Sequence, residues 1–127
     1  MTEWRWVSPH LAITWHARVS ELYGGAPGLR DPGLLESALM RPRNLVAYGE
    51  EVSTERLAAL YGVGIAKAHA FVDGNKRVAF AVLVAFLKAN GRHLDVTETE
   101  ATRAMLNVAA GAMDEVALHE WIVKNGL

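Results

Sequence analysis

Ten consecutive apolar residues, Val78 to Leu87, constrain this chain more than any other stretch. The run is about half the roughly 20 residues that a membrane span requires. Asn75 before it reads as a helix N-cap, and Asn90-Gly91 after it reads as a stop. A helix over about 75–90 that is apolar all round has no face to give to water. It must be the central element, wrapped by the others. The 127 residues are enough for one domain, 1–127, with a real core.

The rest of the chain supplies the wrapping. Ser8-Pro9 starts a helix that runs to Tyr23 and ends at Gly24-Gly25. The stretch Gly24 to Arg30 is turn-rich. Asp31-Pro32 caps a short helix to about Met40, closed by Pro42. Residues 43–52 lack a helical period, and Leu45-Val46-Ala47-Tyr48 suits an edge strand or hairpin. Glu50-Glu51 reads as a solvated turn. Ser53 or Thr54 opens a helix to near His69, with Leu57, Leu60, Tyr61, Ile65 and Ala68 as its apolar stripe. Thr97 to Glu100 forms a capping box for a helix to about Ala110. Asp114 caps a last helix, which Gly126 follows. The expected architecture is an all-α bundle.

Chemistry concentrates at the entry to the apolar helix, in His69-Ala70-Phe71-Val72-Asp73-Gly74-Asn75-Lys76-Arg77. A helix start offers unpaired N–H groups and the positive end of a dipole. His69 can move a proton, Asp73 can hold a divalent metal, and Lys76 and Arg77 can meet phosphate oxygens. Two cations in a first helical turn oppose the dipole, so they call for an anion. Asp-Gly-Asn is also an ordinary turn sequence. Spacing alone leaves open both an anion site, phosphate or carboxylate, and a plain loop.

The other candidates carry less. His10 and His16 are six apart and cannot share a helix face at metal spacing. They, His93 and His119 read as surface or packing residues. Trp4, Trp6, Trp15 and Trp121 read as packing rather than a base-stacking platform. Ser37 and Ser53 lack a glycine elbow or a neighbouring base, so a hydrolase triad is unsupported. With 14 acidic and 13 basic residues, no bulk charge draws the chain to nucleic acid. Without cysteine there is no disulfide, thiolate chemistry or Cys-based zinc site. The start, Met1 to Trp6, lacks the order of a signal peptide. The expectation is a cytoplasmic protein with no membrane and no direct nucleic-acid partner.

The nine-residue loop resembles the signature of the Fic/Doc family, His-Pro-Phe-x-(Asp/Glu)-Gly-Asn-Gly-Arg-x-x-Arg. It is most similar to the Doc (death-on-curing) toxin branch, whose loop runs His-x-Phe-x-Asp-(Ala/Gly)-Asn-Lys-Arg. Tyr23 to Gly28, Asp31-Pro32-Gly33, Val46-Ala47-Tyr48 and Leu87 to Gly91 resemble that branch too. Lys76 stands where most family members have Gly, and Phe80 where they have the second Arg. Both departures are shared with Doc. The resemblance implies a compact Fic/Doc-like helical bundle with a short extended flap, near Arg43 to Tyr48, that docks the target.

By this resemblance the chain is the toxin of a toxin–antitoxin module and a protein kinase. It would move the γ-phosphate of ATP to a Ser or Thr hydroxyl of translation elongation factor Tu and arrest translation. His69 would be the general base and Asp73 the Mg²⁺ ligand. Gly74, Asn75, Lys76 and Arg77 would hold the transferring phosphate, and Phe71 would anchor the loop. The self-inhibitory motif (Ser/Thr)-x-x-x-Glu-(Gly/Asn) is absent from these residues. Inhibition is therefore expected from a Phd-type antitoxin, its C-terminal segment folded as a helix in a groove of the bundle. Two alternatives remain: transfer of AMP rather than phosphate, and a catalytically idle helical binding module.

Overall fold

The computed structural model describes residues 3–49 and 51–127. Readings that fall on Met1, Thr2 and Glu50 lie outside the described residues; Glu51 is exposed. The described residues form six helices: α1 (Pro9–Tyr23), α2 (Pro32–Ala47), α3 (Thr54–Ala68), α4 (Asn75–Ala89), α5 (Glu98–Ala109) and α6 (Glu115–Lys124). The all-α bundle expected from the sequence is the one observed. Local cap chemistry sets most boundaries. Side chains of Ser8, Asp31, Ser53, Thr97 and Asp114 each accept a hydrogen bond from a backbone N–H in the first turn that follows. Thr97 and Glu100 form the reciprocal capping box.

Two helices share the centre. α3 is covered round most of its circumference: Thr54, Leu57 to Val63, Ile65 and Ala66 are all buried. Gly62 makes this possible, because a Cβ there would lie 2.9 Å from Leu83 Cδ1 and 3.0 Å from Leu118 Cδ2. α4 packs against α3, α1 and α5. It buries Val78, Ala79, Val82, Leu83, Phe86 and Leu87, while Phe80, Ala81, Val84 and Ala85 stay half-buried. The covering of the apolar helix is thus incomplete on one side, and that side floors a cleft.

The structure corrects the reading of residues 41–48. α2 runs through Pro42 to Ala47, where a helix stop and an extended flap were expected. Pro42 has no N–H for the carbonyl of Ala38, a loss that normally ends a helix. Burial outweighs it. Leu35, Ala38, Leu39 and Pro42 are buried, and Leu45 and Val46 pack against the core. These positions repeat every three or four residues, so a kinked stop would expose one continuous apolar stripe. Gly64 of α3 lets the two helices close over this point, with Ala38 O 3.6 Å from where its Cβ would stand.

The N-terminal segment is clamped to the same region. Trp4 and Trp6 stack on Phe86, with ring centroids 6.3 and 6.0 Å away, and the Arg43 guanidinium lies 5.5 Å above the Trp6 ring. The buried hydroxyl of Tyr61 accepts a hydrogen bond from Val7 N at 3.1 Å. Burial raises the Tyr61 pKa, opposed by that hydrogen bond and by the charge of Arg43. Among the described residues no helix is long and apolar enough to cross a membrane.

Candidate active site

The loop between α3 and α4 is built from three distant parts of the chain. α3 ends at His69, whose backbone is left-handed (φ 51°), the one non-glycine residue with positive φ among those described. That conformation costs a side-chain-bearing residue about 1–2 kcal/mol, so something must hold it. Arg30 does, donating through both Nε and Nη2 to the His69 carbonyl. Next, Ala70 to Val72 run extended beside residues 28–31. Arg30 N and Asp31 N both donate to Ala70 O, at 2.7 and 2.9 Å, and Val72 N donates to Gly28 O at 3.1 Å. Leu29 and Phe71 form a single antiparallel bridge. The extended partner of this loop is the turn-rich 24–31 segment.

Phe71 is buried and its ring stacks on the buried imidazole of His16, with centroids 4.0 Å apart and planes at 12°. His16 Nε2 lies 2.7 Å from the carbonyl oxygen of Asp73. The carboxylate Oδ1 of Asp73 accepts from Gly74 N at 2.8 Å. On the other side Gly25 passes so close that a Cβ would stand 2.9 Å from Asp73 Oδ2.

Asn75 is not the N-cap of α4; Gly74, left-handed at φ 76°, takes that position. Asn75 is the first helical residue, and its amide closes the loop on itself. Oδ1 accepts from Phe71 N at 3.1 Å, and Nδ2 donates to Phe71 O at 3.0 Å. With glycine as the cap, α4 has no side-chain cap hydrogen bond, unlike the other five helices. Its first-turn N–H groups stay available to an anion.

His69, Asp73, Gly74, Asn75, Lys76 and Arg77 all line one cleft of about 820 Å³. Lys76 and Arg77 are exposed, and among the described residues neither is paired with a carboxylate. The Arg77 guanidinium lies 4.6 Å over the Tyr23 ring and donates to Tyr23 O at 3.4 Å. The cleft continues past Phe80 and Ala81 between Val19 and Leu22 of α1 and Met105 and Leu106 of α5. One end is thus polar and cationic, the other an apolar groove.

The sequence reading missed His16, Arg30 and Gly25. Each lies 39 or more residues from its loop partner, so no local spacing announces it. The doublet Gly24-Gly25 was legible as a helix end, a turn and part of the family likeness, but not as a neighbour of Asp73. His16 had one available signal: with Ala12 and Val19 it falls on the buried face of α1, where an imidazole needs a polar partner.

Comparison with known proteins identifies the family. The sequence profile of the Fic/DOC family matches residues 6–87, which include α1, α2, α3, the whole loop and nearly all of α4. The chain is 39% identical over 87 residues to "Protein kinase doc" of Escherichia phage P1, covering 68% of this chain and 69% of that protein. It is 43% identical over 75 residues to "Toxin Doc" of Mycolicibacterium smegmatis, covering 57% of this chain and 56% of that one. With the matching profile spanning more than half its length, and with Doc proteins among its relatives, this chain belongs to the Doc branch of the Fic/Doc family.

Proposed function

We propose that this chain is a cytoplasmic toxin that transfers the γ-phosphate of ATP to a Ser or Thr hydroxyl of a translation factor, with elongation factor Tu as the expected target. One observation carries the reading. The α4 N-terminus, alone in lacking a side-chain cap, opens into the cleft that also holds Lys76, Arg77, Asp73 and His69. Free N–H groups, cations that no carboxylate among the described residues pairs, a carboxylate and an imidazole in one place are the parts phosphoryl transfer uses. The relatives' names, a protein kinase and a toxin, point the same way.

In this reading the exposed His69 imidazole takes the proton from the target hydroxyl as its oxygen bonds to the γ-phosphorus. The bond from that phosphorus to the β-bridging oxygen breaks, and ADP leaves. Lys76, Arg77 and the first-turn N–H groups of α4 hold the charge that builds on the transferring group. Asn75, committed to the Phe71 backbone, shapes the loop. Among the described residues no three His, Asp or Glu side chains converge to cage a metal, and Asp73 offers one carboxylate to the cleft. A single carboxylate fits Mg²⁺, an ion that needs few protein ligands when phosphate oxygens are at hand. Asp73 would hold the ion, which neutralises phosphate charge when bound.

The apolar end of the cleft suits the helix of a Phd-type antitoxin. Phe80 and Ala81 of α4 form a floor between α1 and α5, an apolar surface of the kind an amphipathic helix covers. Binding there would bring the antitoxin next to Lys76 and Arg77.

Two parallel reactions test the reading, with purified protein, Mg²⁺ and elongation factor Tu, one containing ATP labelled on the γ-phosphate and one on the α-phosphate. Transfer of the γ label alone, reduced by about 10²–10⁴ in His69→Ala with ATP binding kept, is the expected result. Transfer of the α label would replace kinase by AMP transferase. Neither label moving, with His69→Ala still toxic, would leave a binding module.

A further inference from the structure

We propose that His16 is a positioning residue of the transfer site: through the Asp73 carbonyl it fixes the Asp73–Gly74 peptide and so aims the Asp73 carboxylate. The inference rests on the phosphoryl-transfer reading for its consequence, but its geometry stands on the loop itself.

His16 is 3% exposed. A buried imidazole nitrogen without a partner is costly, and Nε2 meets the Asp73 carbonyl oxygen at 2.7 Å. A carbonyl only accepts, so Nε2 carries the proton and donates. The ring cannot swing away, because it is stacked on Phe71 at 4.0 Å. Its mount is the middle of α1, a fifteen-residue helix capped at Ser8 and closed at Gly24. A side chain held on a regular helix fixes a loop more tightly than another loop can.

What the bond fixes is one peptide plane, held at both edges. The carbonyl of Asp73 accepts from His16, and the N–H of the following Gly74 donates to Asp73 Oδ1 at 2.8 Å. Rotating that peptide would break both bonds together and release the carboxylate. Oδ2 remains for the cleft, confined on its far side by Gly25. Gly74 completes the arrangement. A Cβ there would meet His16 Nε2 at 3.6 Å, and its left-handed backbone turns the chain from the held peptide into α4. A buried leucine would fill the space of His16 but could not hold the peptide.

Three variants separate holding from filling. His16→Gln places an amide N–H about where Nε2 stands, His16→Asn falls short of it, and His16→Leu keeps the volume without a donor. The first readout needs no nucleotide or metal. Long-range ¹H–¹⁵N spectra of the wild-type protein should show the His16 ring protonated on Nε2. The Asp73 and Gly74 backbone resonances should move in the Leu and Asn variants and stay near wild type in Gln, while core methyls such as those of Leu83 and Ile122 hold still. The second readout is γ-phosphate transfer against Mg²⁺ concentration. The half-saturating Mg²⁺ should rise about tenfold in Leu and Asn, with rate recovered at high Mg²⁺, and stay near wild type in Gln. Unmoved Asp73 and Gly74 resonances in His16→Leu, or a ring protonated only on Nδ1, would overturn the proposal. So would a uniform loss of rate in all three variants at every Mg²⁺ concentration. If the wild-type protein transfers no phosphate, the kinase reading fails while the spectra still decide the role of His16.

Discussion

Replacing Gly25 by alanine, with Gly24→Ala as its control, separates the placement of the Asp73 carboxylate from the stability of the fold. Both glycines have positive φ, 81° at Gly24 and 101° at Gly25. Gly24 pairs that φ with ψ −170°, a region all but reserved for glycine, so an alanine at either position carries a backbone strain of about 1–3 kcal/mol. For a domain of this size that lowers the melting temperature by about 4 °C per kcal/mol. The surroundings differ. A Cβ at Gly24 meets nothing within 4 Å, whereas one at Gly25 stands 2.9 Å from Asp73 Oδ2. The carboxylate is the free end of a side chain, so it yields rather than unfolding the protein, retreating about 0.5 Å to ordinary contact. Misplacement by 1 Å can cost about 10²-fold in rate, so roughly tenfold is expected here, equivalent to about 1.4 kcal/mol in the barrier. Thermal melts should show both variants destabilised and still cooperatively folded. γ-Phosphate transfer measured across Mg²⁺ concentrations should fall only in Gly25→Ala. Equal loss of transfer in both variants, or wild-type transfer in Gly25→Ala, would refute the role given to the Asp73 carboxylate.

Two further outcomes concern the core. Gly62→Ala should destabilise, because wedging a methyl against Leu83 and Leu118 costs about 1–3 kcal/mol while alanine gains only about 1 kcal/mol over glycine in a helix; Gly64→Ala, which meets Ala38 at 3.6 Å, should melt no lower than wild type. Tyr61 has a raised pKa, mainly from burial, so above about pH 10 the unfolded chain loses its phenolic proton while the folded one keeps it. Stability carried by this group should be complete below that pH and fall as pH rises through it, seen as a declining urea midpoint. Tyr61→Phe should remove that decline and cost about 1–3 kcal/mol at neutral pH, since Val7 N–H loses its acceptor.

How much of this was legible in the sequence follows from how far each signal reaches. A cap acts over three residues, so Ser8, Asp31, Ser53, Thr97 and Asp114 marked their helices before any tertiary contact was known. The apolar run over 78–87 likewise marked a helix of the centre. The loop residues His69 to Arg77 were contiguous, so their shared cleft was foreshadowed by their order alone. Pro42 misled because a local rule met a tertiary demand. A missing N–H argues for a stop, but burial of Leu35 through Val46 on one stripe argues harder for continuation. Asn75 misled by one position, because Gly74 supplies the left-handed turn that an asparagine cap would not.

The sequence by itself determined the helices, most of their ends and the chemical inventory of the loop, because those depend on neighbours a few residues apart. Only the tertiary structure decided how that inventory is aimed. It brought His16 to the Asp73 carbonyl across 57 residues, Arg30 to the His69 carbonyl across 39, and Gly25 against the Asp73 carboxylate. It also left one flank of α4 uncovered between α1 and α5. Such contacts are chosen by packing, where the loss of one buried hydrogen bond or one close glycine is felt only after the distant elements have met.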